Sequence, residues 1–322
     1  MALKPNDAKH ALQIQAGTEG RREGHKYELT IAREVSEYTG DLLVAKKDDF
    51  VFRGNPSKAL ISKTLNYLGW SNADKVEAIA LGALATAEEG KKWLKVNGIK
   101  VKACKSDILI TAQKNGEVRN VGVSVKQCNN PTPINAQLFF TTATAFVSLL
   151  KRNGIEIGNE GLIALRQFCG DDGFRPCDDP SMKDRITDPR RFFWEEILQT
   201  GKEELEGILT NYQDEITRLL LQKAYPDDPF VPELLLHKTK RKEEHLEQEY
   251  ALYSIDELIK LSRDYSGFIK KKYRVKKGSY KDPEGVKHEA PRFGIVQMQR
   301  GGQSQHPTQL QFNLRAGYFY YI

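Results

Sequence analysis

The clearest pattern in the chain lies between Ser106 and Gln127, SDILITAQKNGEVRNVGVSVKQ. Two runs of β-branched and aliphatic residues, DILITA and VGVSVK, flank the dipeptide Asn115-Gly116. Asn-Gly between such runs marks a two-residue type I′ hairpin, because that turn needs positive φ at both central positions. The turn sets Lys114 opposite Glu117, and counting back from there sets Asp107 opposite Ser124. Side chains alternate along a strand, so Lys126 falls on the face of Ser124, diagonal to Asp107. Ile108, Ile110, Val121, Val123 and Val125 fill the other face, which predicts a central hairpin with both faces covered.

Around this hairpin the periodicity is mostly helical. Residues 1–25 read as polar and frayed. In KYELTIAREVSEYT, Lys26–Thr39, the residues Tyr27, Ile31 and Val35 share one helical face, and Gly40 stops the run. Residues 41–100 read as mostly helical, with helices at Ser57–Leu68 and Asp74–Glu89 that Gly69 and Gly90 end. After a loop at Asn129–Pro133, Asn135–Arg152 reads as a helix packing on the sheet. The Gly-, Pro- and Asp-rich stretch 169–196 reads as a loop, with a helix opening at Asp188-Pro189 and beginning near Arg190. Residues 197–265 read as helical. Leu205, Ile208, Leu209, Tyr212, Ile216, Leu219 and Leu220 form the apolar stripe of Glu203–Gln222, Pro226–Pro232 breaks the run, and the alternating charges of Lys238–Glu249 form a solvated face.

A hairpin followed by helices predicts an α/β (α+β) fold with a central mixed sheet and helical subdomains. Four segments follow: a helical region with the first core helix (1–98), a core around the hairpin (99–200), a helical and basic-arm region (201–284), and a C-terminal β segment (285–322). The 322 residues suffice for one large domain or two modest ones. Their 29% charged and 39% hydrophobic content suits a soluble protein. No apolar run approaches a membrane span, and the N-terminus lacks a signal peptide's apolar core, so a cytoplasmic protein is expected.

Candidate chemistry narrows this picture. Cysteines 104, 128, 169 and 177 form no CxxC pair, which argues against structural zinc, and no Ser/His/Asp arrangement stands out. Asp171, Asp172, Asp178 and Asp179 lack the spacing of a calcium loop. The net charge of +6 fits a polyanionic partner without requiring one. Its distribution is more informative. Lys270–Lys281, KKKYRVKKGSYK, carries seven basic residues and two tyrosines, so Lys270, Lys271, Lys272, Arg274, Lys276 and Lys277 form the best nucleic-acid patch, although a solvated basic hairpin is the competing reading. The tail from Pro291 packs Gln297, Gln299, Arg300, Gln303, Gln305, Gln309 and Gln311 among glycines and strand-forming residues. Gln and Arg pair with adenine and guanine edges in the major groove, which makes Gln299, Arg300, Gln303 and Gln305 candidate base contacts beside the alternative of a plain polar-edged hairpin. Arg190 and Arg191 suit either DNA or the loop carboxylates.

An Asp and a Lys at the end of a covered hairpin need a reason, since a surface ion pair adds little stability and a buried charge is costly unless paired or bound to metal. An acidic residue, a hairpin and x-V-K on the returning strand resemble the PD-(D/E)xK nuclease core, widespread among type II restriction endonucleases. In that likeness Asp107 is the family's Asp and Lys126 its Lys. Ser124 stands where Asp or Glu is usual, and Ser106 where Pro is usual, which removes one carboxylate ligand. The QRGGQ…LQFNL tail also looks like C-terminal segments of restriction enzymes.

The resemblance implies a restriction-endonuclease-like core that hydrolyses double-stranded DNA with Mg²⁺. Asp107, the Val125 carbonyl and Glu28 of the first core helix would hold the metal, Ser124 would bind water or the metal weakly, and Lys126 would activate the attacking water. It further implies a homodimer and a cognate DNA methyltransferase as functional partner. Two alternatives share the features: a structure-specific or repair nuclease, and a non-catalytic DNA-binding protein with Asp107 and Lys126 as a mere ion pair. The missing second carboxylate favours the last.

Overall fold

The computed structural model describes residues 8–42, 51–82, 94–96, 98–101, 104–127, 135–185, 187–223, 228–242, 248–265, 268–274, 287–300 and 308–315. The first part of the chain runs through α1 (Ala8–Ser36), β1 (Val51–Arg53), α2 (Pro56–Tyr67), β2 (Lys75–Ala80), β3 (Leu94–Val96), β4 (Ile99–Val101), β5 (Ile108–Lys114) and β6 (Glu117–Gln127). There follow β7 (Ala136–Thr141), α3 (Ala143–Arg152), α4 (Asn159–Cys169), α5 (Gln199–Asn211) and α6 (Gln213–Gln222). The last part holds β8 (Pro232–Lys242), β9 (Gln248–Ser254), α7 (Ile255–Arg263), β10 (Phe268–Arg274), β11 (Lys287–Phe293), β12 (Val296–Arg300) and β13 (Leu310–Leu314). The chain divides into unit 1, residues 1–136, 221–258 and 316–322, and unit 2, residues 137–220 and 259–315.

Unit 1 is built on a mixed six-stranded sheet, ordered β1-β9-β8-β6-β5-β2. The α/β class expected from the sequence is the one observed. Asn115 (φ 50) and Gly116 (φ 82) form the turn, Lys114 pairs with Glu117, and Ile108 pairs with Val123. β6 then pairs in parallel with β8, setting Ser124 beside Leu235 and Lys126 beside His237. Ile31, Ala32 and Val35 of α1 and Leu60, Ile61 and Leu65 of α2 pack with Ile108, Ile110, Val121, Val123, Leu234 and Leu236 into one buried core. Leu81, Leu109 and Phe230 form a smaller cluster. The edge strand β2 is tied to α1: the Ala78 N–H donates to Ser36 Oγ (2.9 Å), which in turn donates to the Ala78 carbonyl (3.2 Å). Pairing that strand edge to a side chain blunts it as a template for other chains.

Unit 2 contains a five-stranded sheet, ordered β10-β11-β12-β13-β7. Phe293, Val296, Met298, Phe312 and Leu314 are buried, and Phe146 of α3 stacks against Phe312 at 4.8 Å. Gln297, Gln299 and Gln311 alternate with these residues and stay half-buried.

Several helical expectations are corrected. α1 begins at Ala8, so much of the stretch read as frayed is helix. Lys75–Ala80, read as part of a helix from apolar positions three and four apart, is strand β2, because pairing with β5 outweighs local propensity. The stretch 135–152 divides into β7 and α3, where Thr142 caps the helix by accepting the Ala145 N–H. No helix opens near Arg190: Asp188 Oδ1 accepts the Arg190 N–H in a turn, and the next α-helix starts at Gln199. The apolar stripe of 203–222 is broken at Tyr212, which is exposed. Within 238–249 the described residues belong to β8 and β9 instead of a solvated helix. Among the described residues no helix is long and apolar enough to cross a membrane.

Candidate active site

The end of the β5–β6 hairpin gathers the charged residues singled out by the sequence. The Asp107 N–H donates to the Val123 carbonyl (2.9 Å), which carries the ladder one pair beyond Ile108 and holds the aspartate beside β6. Its Oδ2 accepts from the Val125 N–H (2.6 Å), Ser124 Oγ (3.2 Å) and Lys126 Nζ (3.3 Å). Lys126 Nζ also donates to the Val125 carbonyl (3.1 Å), so one ammonium bridges two of the expected metal ligands. Ser124 is 1% exposed and its hydroxyl is spent on Asp107, where it orients that carboxylate.

Glu28 reaches this cluster from α1. It is 7% exposed, and its Oε2 is buried without a hydrogen-bond partner. Burial, then repulsion by Asp107, pushes its pKa up to about 8, with Lys126 opposing the shift. Gly82 lies against it: a Cβ there would sit 2.5 Å from Glu28 Oε2 and 3.6 Å from His25 Cδ2. Only a residue without a side chain leaves the carboxyl where it is.

Three further residues stand around this cluster. Burial and then Lys126 push Lys105 down to about 7, against the pull of Asp107 and Asp228. Asp228 Oδ2 accepts the Lys105 backbone N–H (2.5 Å), tying the segment before β5 to the segment before β8. His237, beside Lys126 on β8, is fully buried and is pushed down to about 3 by burial and Lys126, which keeps its imidazole neutral. Lys105 had a legible signal, since it stands two residues before Asp107. Asp228 and His237 had none, because they arrive from about a hundred residues away through a parallel pairing.

Among the described residues there is no group of three or more His, Cys, Asp or Glu side chains arranged around a metal ion. The residues present nevertheless suit a hard divalent cation. Two carboxylates repel each other in a buried place, one offers an oxygen without a partner, and the Val125 carbonyl adds a third oxygen. Mg²⁺ takes one or two carboxylates and keeps several waters, so this donor set is adequate.

The proposed DNA contacts are dispersed. Lys270, Lys271, Lys272 and Arg274 lie on β10, where Lys270 pairs with Pro291 and Lys272 with Glu289 of β11. Lys276, Lys277, Gln303 and Gln305 lie outside the described residues. Gln299 and Arg300 are consecutive on β12 and so point to opposite faces. Gln299 faces Gln311 across the β12–β13 pair, whereas Arg300 turns toward Asp188, 4.0 Å away.

No family model matches the chain, and no curated protein matches it in sequence. Among solved structures, the chain is similar to the restriction endonuclease MspI in a crystal structure of its complex with cognate DNA. The TM-score is 0.45 at 14% sequence identity, over 80% of this chain and 78% of that one.

Proposed function

We propose that the chain is a Mg²⁺-dependent endonuclease acting on double-stranded DNA, of the site-specific type II restriction kind. The observation that carries this reading is the buried, unpartnered carboxyl oxygen of Glu28 held beside Asp107 and Lys126 at the hairpin end. In structural proteins such a carboxyl is removed or paired. Here a cation would relieve it.

In this reading Glu28, Asp107 and the Val125 carbonyl hold the metal. Bound there, Mg²⁺ supplies Lewis acidity, lowering the pKa of water and offsetting charge on the phosphoryl oxygens. Lys126 gives up its bridge between Asp107 and Val125, orients the attacking water, and shares the negative charge of the pentacovalent phosphate. Lys126 also helps deprotonate that water. Ser124 and the Val125 N–H fix Asp107, and neutral His237 packs beside Lys126 without adding a competing charge. Cutting both strands at one site usually uses two such centres, so the family likeness implies a homodimer, with a methyltransferase protecting host DNA as functional partner.

A non-catalytic DNA-binding role is the second reading. It is favoured by the three donors already converging on Asp107 Oδ2. Incubation with plasmid and phage DNA, in Mg²⁺ and in chelator, separates the readings when Asp107→Ala is run alongside. Discrete Mg²⁺-dependent fragments that vanish in the variant support the site-specific nuclease. A smear moves the reading to a repair-type nuclease. Uncut DNA with a retained gel shift leaves binding alone.

A further inference from the structure

The two faces of the β12–β13 pair in unit 2 differ in kind. Val296 pairs with Leu314, Met298 with Phe312 and Arg300 with Leu310, and the apolar members of these pairs are fully buried. Alternation puts Gln297, opposite Asn313, and Gln299, opposite Gln311, on the other face. Four carboxamides thus stand side by side on two paired strands, with no carboxylate among them. Gln297, Gln299 and Gln311 are half-buried, and Asn313 is 3% exposed.

The hydrogen-bonding capacity of this face is only partly used. Gln311 Nε2 donates to Asn313 Oδ1 (2.9 Å), and Arg315 Nη1 donates to Gln297 Oε1 (3.0 Å). These bonds hold three of the four side chains and occupy two of their oxygens. Asn313 Nδ2 is buried without a partner. Among the described residues the Gln299 side chain makes no hydrogen bond at either end. A withdrawn amide donor with nothing to bind is costly, and a plain polar-edged hairpin gives no reason to keep one. A carboxamide donates through its nitrogen and accepts through its oxygen, which matches the N7 acceptor and N6 donor of adenine. The duplex presents that edge in its major groove. The same sheet has β10 at its edge, the strand that carries Lys270, Lys271, Lys272 and Arg274. Phosphate contacts position a duplex and base contacts specify it, and one sheet offers residue types for both.

We propose that Gln297, Gln299, Gln311 and Asn313 form the base-reading face of unit 2, and that the base they read is adenine. Gln299 is the direct contact, donating to N7 and accepting from N6. Gln311 and Asn313 hold one another in place beside it, and Arg315 sets Gln297. Arg300, on the opposite face, takes no part. Which base is recognised is left open by the DNA-binding reading above, on which this face depends.

The test uses the full chain in chelator, so that cleavage plays no part. A pool of duplexes with a random central segment is selected by gel shift, and the bound fraction is sequenced. The native protein is expected to enrich a motif that contains adenine. Gln299→Ala is expected to bind the pool while its preference at one adenine position falls roughly tenfold. Replacing that adenine with 7-deazaadenine, which lacks the N7 acceptor but still pairs with thymine, should weaken native binding roughly tenfold, whether or not the variant folds. Selection without an enriched motif, a motif lacking adenine, or equal binding of the 7-deazaadenine duplex overturns the proposal. A folded Gln299→Ala protein that enriches the native motif unchanged overturns it too. Cleavage is scored separately. Discrete Mg²⁺-dependent fragments beside an unchanged motif in the variant keep the nuclease reading and remove this face. An adenine motif lost in the variant, from a protein that cuts nothing, keeps this face and removes the nuclease.

Discussion

The hairpin end of unit 1 and the arginine cluster of unit 2 carry mirror-image problems. In the first, two carboxylates share a buried place with a lysine bridging one of them, and Glu28 is pushed toward its neutral form. In the second, three arginines share one carboxylate, and Arg300 is pushed toward its neutral form. A protein selected for stability alone replaces such groups with well-packed apolar ones at little cost or some gain. In both places charged groups are kept where apolar ones would pack at no greater cost.

Neutralising one carboxylate in each place should act in opposite directions. Asp188→Asn removes the carboxylate on which three arginines converge and should cost about 3–5 kcal/mol in urea unfolding. Next in size, Asp107→Ala should lower Mg²⁺-dependent cleavage at least about 100-fold while leaving a gel shift in chelator. Loss of binding together with cleavage would argue against a metal ligand. Gly122→Ala should cost about 1–3 kcal/mol, because its Cβ would meet the Val231 carbonyl and Ser106 Oγ where β6 shifts register against β8. An unchanged urea midpoint would mean that the two strands can part at little cost.

The smallest effect belongs to Glu28→Gln. Folding raises the Glu28 pKa from 4.5 to about 8, so the protonated form stabilises the fold. That stabilisation is complete below pH 4.5 and is lost as pH rises through 8. The variant should match the native protein at pH 4.5 and exceed it increasingly as pH rises toward 8 without metal. Lys105 acts in the reverse sense: its folded pKa is lowered to about 7, so its contribution is full above pH 10.5 and is lost as pH falls through 7. Taking the difference between native and variant removes that opposing trend. Mg²⁺ should then stabilise the native protein more than the variant at pH 8.

What could be read from the sequence was local. The hairpin register followed from Asn115-Gly116 and strict alternation, and it brought Asp107, Ser124 and Lys126 together without any knowledge of the fold. Glu28 was reached only through the family likeness, because nothing in KYELTIAREVSEYT separates it from Glu34 or Glu37. β2 and β8 were hidden for different reasons. The alanines of β2 mimic a helix, and only its partner β5 decides otherwise. β8 is a Leu-rich run ending in KTKRK, and its pairing with β6 spans a separation that no local pattern records. Asp228 and His237 come into place through that pairing.

The parallel pairing of β6 with β8 also has a consequence for how the protein is made. Unit 1 is interrupted after residue 136 and resumes at 221, and unit 2 stops at 220 and resumes at 259. Neither sheet can close on a ribosome until the polypeptide has passed well beyond the other's first half. His237 is synthesised only after the whole 137–220 segment has emerged, so a nascent chain carries Asp107 and Lys126 for some time with no strand beside Lys126. An incomplete chain therefore holds the acidic and basic groups of the hairpin without the wall that assembles them. Truncation between residues 137 and 231 leaves the six-stranded sheet without β8 and β9.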